Sequence, residues 1–206
     1  LMKHGFVVRI YARHPEKVAD VAAEGAELCD SIADCVRGSE AVITMVGFPA
    51  DVRDVYFGAE NILASAARGT YLIDMTTTSP TLSQELSRAG AERGMRVLDA
   101  PVTGGDTGAR AGTLSILVGG AREDYETCLP LFRAMGTTIN YQGGAGCGQH
   151  AKMANQIMIA GTLSGICEAL SYARAKGLDE ETLLRSVSTG AAGSRQLDLL
   201  GGKLLN

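Results

Sequence analysis

The chain has 206 residues, of which 46% are hydrophobic and 20% charged, with a net charge of −4. That apolar share supports a core and one or two domains, and it excludes a charge-rich disordered chain. Mild acidity and the absence of Trp argue against nucleic-acid or membrane-surface binding, which needs a concentrated basic face, and against a base-stacking platform.

In chain order, LMKHG reads as the last turn of a helix stopped by Gly5. Phe6 to Tyr11 follows as a strand. A first strand and most of a first helix are therefore expected ahead of Leu1. Pro15 opens a helix in the favoured first-turn position. Ala41 to Val46 is a buried strand, and Pro49 opens the helix ADVRDVYF. Thr70 to Met75 is a strand, after which Ser79 caps and Pro80 starts the helix TLSQELSRAGAERG. Arg96 to Pro101 and TLSILVGG are strands, REDYETCLPLFRAMG is helical despite Pro130, and TTINYQG closes the series. Strands alternating with helices predict a doubly wound, mostly parallel sheet of Rossmann type over residues 1–143. TLSILVGG is the place where that order can break.

After Gly143 the pattern changes. Gln149 to Lys176 contains no proline and reads as one long helix, ended by Gly177. Asp179 caps a further helix, EETLLRSVSTG, and GGKLLN stops in helical sequence. Residues 144–206 thus read as an interdomain helix and the start of an all-helical domain that continues further.

Lys152, Asn155, Gln156 and Ile159 share one helix face by their spacing. A lysine near a helix start commonly points to water. Here an apolar run continues past it, and a lysine beside a desolvated cleft is suited to proton transfer. Asn155 and Gln156 could orient a substrate oxygen without adding charge. Thr103, Gly104 and Gly105 follow a strand end, where a hydroxyl and two glycine N–H groups can cradle a carboxylate; an ordinary Gly-rich turn fits the same residues. Arg110 and Arg195 fit solvated side chains as well as charged clamps. At the end of the first strand stand Ala12, Arg13 and His14. In dinucleotide domains an acid there bonds the 2′-hydroxyl of NAD and an arginine accepts the 2′-phosphate of NADP. With no acid and with Arg13, NADP is expected in preference to NAD. Val46, Gly47 and Pro49 mark a second strand end and Thr76 and Thr77 a third, both where parallel strands deliver cofactor-binding loops. Cys29, Cys35, Cys128, Cys147 and Cys167 are widely spaced with no CxxC pair, which reads as reduced thiols and a cytoplasmic location. His4, His14 and His150 are too scattered for a metal cluster.

The order of these segments resembles the β-hydroxyacid dehydrogenase family, which includes 3-hydroxyisobutyrate dehydrogenase and tartronate semialdehyde reductase. DAPVTGGDTGARAGTLSILVGG resembles the family's substrate-binding motif, with Thr103 where serine is usual. GAGCGQHAKMANQ resembles its catalytic motif, in which Lys152 matches the catalytic lysine and Asn155 the substrate-binding amide. IDMTTTSP is similar to the nicotinamide-side segment. The resemblance implies an NAD(P)-dependent oxidoreductase for a small carboxylate-bearing hydroxy acid or semialdehyde, assembled as a homodimer or homotetramer. It also implies a GxGxxG loop ahead of LMKHG and a second substrate-side lysine beyond GGKLLN. Imine reductases share the architecture but typically replace the lysine. A 6-phosphogluconate dehydrogenase-like enzyme would call for more basic residues. A non-catalytic nucleotide-binding fragment is the remaining alternative.

Overall fold

The computed structural model describes residues 1–59 and 61–205. They form two compact units, Leu1–Lys152 and Met153–Asn206. The first unit runs β1 (Arg9–Ile10), α1 (Ala19–Ala23), β2 (Glu27–Leu28), α2 (Ile32–Val36), β3 (Ala41–Thr44), α3 (Pro49–Phe57), α4 (Ile62–Ser65) and β4 (Tyr71–Asp74). It continues through α5 (Pro80–Glu92), β5 (Arg96–Asp99), β6 (Val102–Thr103), α6 (Gly105–Ala111), β7 (Leu114–Gly120), α7 (Arg122–Arg133) and β8 (Gly136–Gly143). The long helix α8 (Cys147–Ala175) begins in this unit and runs into the second, where α9 (Glu180–Val187) and α10 (Arg195–Leu200) follow.

The larger sheet has the order β3-β4-β5-β7-β6, with β8 beside β7. β3, β4 and β5 are parallel, as are β7 and β8. β7 is antiparallel to both β5 and β6, so the expected break falls in TLSILVGG. The pleat sends successive residues to opposite faces. Leu72 and Val97 accordingly join one core with Val52, Tyr56 and Leu86. Their neighbours Ile73 and Leu98 join another with Ile116, Val118 and Phe132. Buried on both faces, these strands read as continuous apolar runs.

Several boundaries differ from the sequence expectation. Of Phe6 to Tyr11 only Arg9–Ile10 is strand, because the ladder extends only as far as its partner β2, with Arg9 opposite Glu27 and Ile10 opposite Leu28. Pro15 starts a 3-10 turn, Pro15–Val18, ahead of α1. Ser79 stands at the head of α5 without a side-chain capping bond. β5 stops at Asp99, before Pro101, which has no N–H to give a ladder. The Gly-rich stretch after Thr103 is the helix α6 and not a simple turn. Asp179 caps α9 as expected, its Oδ1 accepting from Thr182 N at 2.8 Å. In the second unit Ile166, Leu170 and Leu197 form a small core with Leu184 and Val187.

The start of α8 lies hard against the sheet. A Cβ on Gly148 would sit 2.6 Å from Asp99 O, 2.8 Å from Asp99 Oδ2 and in overlap with Leu117 O. By contrast, a Cβ on Gly161, farther along the helix, would meet nothing within 4 Å. Gly148→Ala should therefore cost about 1–3 kcal/mol or more through overpacking. Gly161→Ala should gain up to about 1 kcal/mol from helix propensity. Urea unfolding of both variants checks the pair; equal effects would contradict this packing of the helix start.

Candidate active site

Lys152 comes one turn into α8, and the residue is only 9% exposed. Its Nζ donates to the carbonyl of Val102 at 2.8 Å. Burial lowers its pKa below the ordinary lysine value, and no carboxylate offsets that among the described residues. An ammonium carries three donors, and among the described residues one of them is engaged, by the Val102 carbonyl. Val102 opens directly into Thr103, Gly104 and Gly105, so the structure brings the lysine and the glycine segment together through one carbonyl.

Thr103 is half-buried, and Gly104 and Gly105 are exposed. Both glycines need positive φ, 130° and 65°, which a residue with a Cβ rarely adopts. A Cβ on Gly105 would face open space, with nothing within 4 Å, whereas one on Gly104 would lie 3.3 Å from Leu114 Cδ2. The open side of the segment is thus at Gly105. Arg110 is exposed in the last turn of α6.

Two residues that sequence reading did not assign build the frame. Asp99, 3% exposed, ends β5. Its Oδ1 accepts from Gly146 N at 2.7 Å and its Oδ2 from Gln149 N at 2.9 Å. Desolvation pushes its pKa up, against the opposing effect of these backbone donors. Gln149, 2% exposed, donates from Nε2 to Thr76 O at 2.7 Å and accepts at Oε1 from Thr78 N at 2.9 Å. It clasps the start of α8 to the loop after β4. A carboxylate closing an apolar strand and a glutamine one turn before the lysine were the available signals. Neither names its partner without the fold.

The strand ends are tied together by a buried polar chain. Tyr56 OH lies 3.0 Å from Thr44 Oγ1, which donates to Asp74 Oδ1 at 2.9 Å. Asp74 also accepts from Thr76 N at 3.1 Å, and Thr76 Oγ1 accepts from Val46 N at 3.0 Å. Desolvation is the main cause that raises the Asp74 pKa. Of the two threonines singled out for a cofactor, the Thr76 hydroxyl is engaged within the protein, whereas Thr77 is exposed. Gly47 and Pro49 are exposed and Val46 half-buried.

At the end of β1, Ala12 is half-buried and Arg13 and His14 are exposed. Arg13 Nη2 pairs with Asp51 Oδ1 at 3.1 Å, and His14 lies 3.3 Å from Glu16. Asp51 Oδ2 accepts from Phe48 N at 2.9 Å at the head of α3. The ends of β1, β3 and β4 carry groups that fit a dinucleotide: an accessible guanidinium at β1, exposed glycine backbone at β3, and at β4 a buried Thr78 Oγ1 with no hydrogen-bond partner among the described residues. In the second unit, Asn155 Nδ2 donates to Gln156 Oε1 at 3.0 Å, and Arg195 is exposed. Among the described residues no helix is long and apolar enough to cross a membrane.

Residues 1–144 match the family model for the NAD binding domain of 6-phosphogluconate dehydrogenase. Residues 146–205 match the model for the NAD-binding of NADP-dependent 3-hydroxyisobutyrate dehydrogenase. The chain is 46% identical over 205 residues to an uncharacterized oxidoreductase of Bacillus subtilis, covering 100% of this chain and 71% of that protein. It is 36% identical over 199 residues to 3-hydroxyisobutyrate dehydrogenase of Pseudomonas aeruginosa, covering 97% of this chain and 67% of that protein. The structure of Mycobacterium tuberculosis 3-hydroxyisobutyrate dehydrogenase with L-serine superimposes with a TM-score of 0.85 at 33% identity, over 95% of this chain and 66% of that one. The chain thus spans about two thirds of the length of these relatives.

Because burial opposes the charged form of Lys152, its Nζ should titrate below the ordinary lysine value of about 10.4. Between the folded and unfolded pKa values the unfolded chain holds the extra proton, so this group adds stability as pH rises through that window. NMR titration of 13C-dimethylated lysines, with Lys152→Arg for assignment, reads the folded value. A midpoint at or above the ordinary value would contradict a desolvated ammonium.

Proposed function

The chain belongs to the β-hydroxyacid dehydrogenase family, and on that premise we propose that it is an NAD(P)-dependent oxidoreductase interconverting a small hydroxy acid and its semialdehyde or keto form. The observation that carries the reading is a buried lysine with no acidic partner among the described residues, held at 2.8 Å by the carbonyl that leads into Thr103, Gly104 and Gly105.

A bound nicotinamide would supply or take the hydride. The chain's own residues handle the oxygen and the carboxylate. In reduction, Lys152 Nζ donates a proton to the carbonyl oxygen as negative charge develops there; in oxidation it takes the proton back. Before transfer its charge stabilises the forming alkoxide more than the neutral carbonyl, which favours the transition state over the ground state. The Val102 carbonyl aims the ammonium while leaving two donors without a partner among the described residues. Thr103 and the backbone N–H groups of Gly104 and Gly105 hold the substrate carboxylate, so the reacting carbon is anchored from its charged end. The open space beside Gly105 leaves room for that anchor. Asn155 and Gln156 are assigned to orienting the substrate oxygen, on their helical spacing from Lys152 and, for Asn155, on the family resemblance.

NADP is proposed ahead of NAD. Arg13 is the cation at the end of β1, its side chain 70% exposed, and its planar fork suits bidentate contact with a 2′-phosphate. Asp51 holds that guanidinium in place in the absence of phosphate and has to yield it when phosphate arrives. Gly47, Pro49 and Thr77 would line the same edge.

Lys152→Ala should lower kcat about a hundred- to ten-thousandfold, while NAD(P)H binding, followed by cofactor fluorescence, stays near that of the parent. Near-full turnover with the best semialdehyde would remove Lys152 from the chemistry. For the cofactor, a charge-assisted bond is worth about 1.5–3 kcal/mol. Arg13→Ala should therefore reduce the ratio of NADPH to NADH affinity roughly ten- to a hundredfold. A parent that prefers NADH, or an unchanged ratio, would contradict the Arg13 assignment.

A further inference from the structure

The reaction assigned to Lys152 needs Nζ at a defined point, yet lysine has four rotatable side-chain bonds and sits on a helix that begins only five residues earlier, at Cys147. Helix starts fray unless their first N–H groups find partners. Here the partner is not the usual residue just before the helix. It is Asp99, separated by 47 residues from Gly146 and 50 from Gln149, the two backbone donors it binds at 2.7 and 2.9 Å.

The carboxylate has no slack. Asp99 is paired in register with Gly119 of β7. A Cβ on Gly119 would lie 2.6 Å from Asp99 Oδ1 and 2.7 Å from Gly148 N, and a Cβ on Gly148 would crowd Asp99 from the helix side. Two glycines therefore let sheet, carboxylate and helix start meet at backbone distance. On the other side Asp99 is in register with Asp74, and the repulsion between the two carboxylates adds to the rise of the Asp74 pKa. Asp99 also starts the segment that ends in the glycines. Three residues on, the Val102 carbonyl receives Lys152 Nζ. One segment, Asp99 to Gly105, thus holds the helix that carries the lysine at its root and the ammonium at its tip.

We propose that Asp99 is a positioning residue for Lys152: its buried carboxylate caps α8 from the sheet and so fixes Nζ relative to the Thr103–Gly105 segment. This rests on the dehydrogenase reading of Lys152. It differs from ordinary capping, in which loss of the bond lowers stability but leaves the folded enzyme's turnover intact.

Two variants test it. Asp99→Asn keeps one acceptor but turns an NH2 toward a backbone N–H, so one of the two bonds is lost. Asp99→Glu keeps the charge and lengthens the arm against Gly119 and Gly148. In folded protein, either variant should lower kcat for semialdehyde reduction roughly ten- to a hundredfold, as a misplacement near 1 Å can, with KM for NAD(P)H within about twofold. Independently of turnover, the acylation rate of Lys152 Nζ by acetic anhydride, read by mass spectrometry against Lys3, should rise several-fold as the ammonium leaves Val102. Lys152→Ala is run alongside. If Lys152→Ala keeps its turnover, the proton-transfer role of Lys152 fails, and the acylation arm still reports whether Asp99 places Nζ. If Lys152→Ala is inactive but a folded Asp99 variant keeps parental kcat and parental Nζ reactivity, the positioning role is overturned. Failure of both Asp99 variants to fold would assign Asp99 to stability alone and overturn it equally.

Discussion

The first backbone N–H groups of a helix have no partners within it, and for the long helix α8 a single buried carboxylate meets two of them. Asp99 binds Gly146 N and Gln149 N from the end of β5. A negative charge at a helix N-terminus is favourable in its own right, and burial strengthens it by excluding water. Burial also makes the carboxylate costly unless it is satisfied, and the backbone donors around it provide that satisfaction. The glycines at 119 and 148 are the steric condition for this contact, since a Cβ at either position would collide with it.

From that joint the rest of the site follows by short steps. Gln149 spends both ends of its amide on the loop after β4, and Thr76 in that loop holds Val46 at the end of β3. Thr44, Asp74 and Tyr56 continue the chain of bonds beneath the same edge. A polar network buried this deeply rigidifies only when its members are satisfied, and Thr78 Oγ1 is the exception among the described residues. Lys152 stands just above this frame, desolvated and with one bond to Val102. A rigid edge beneath an ammonium with one hydrogen bond among the described residues suits the proposed proton transfer, because preorganised charge need not reorganise as the reaction proceeds.

Much of this was legible before the fold. The alternation of strands and helices and the shift to a long helix after Gly143 follow from periodicity and breakers, and the pairing of Lys152 with the Gly-rich segment follows from the family resemblance. The short elements were not legible: β2, α2, α4, β6 and α6 are each too brief to carry a period. The extent of β1 was overread because a strand's length depends on its ladder partner, which its own residues do not reveal. Asp99 and Gln149 were visible as residue types but not as a joint, since a cap supplied across 47 residues leaves no local spacing to detect. Thr76 shows the reverse case: its hydroxyl matched a cofactor position, and the fold engages it with Val46.

In the proposed reaction Lys152 exchanges the proton with the substrate oxygen. The pH dependence of semialdehyde reduction reads it most directly, compared between the parent and Lys152→Gln under single-turnover conditions. Reduction needs the protonated amine, so the parent rate should fall as pH rises through the lowered pKa of Lys152, at the midpoint that its Nζ resonance shows in the same complex. The variant should be slower throughout and lack that limb. The same alkaline limb in both proteins, at the same midpoint, would contradict the claim.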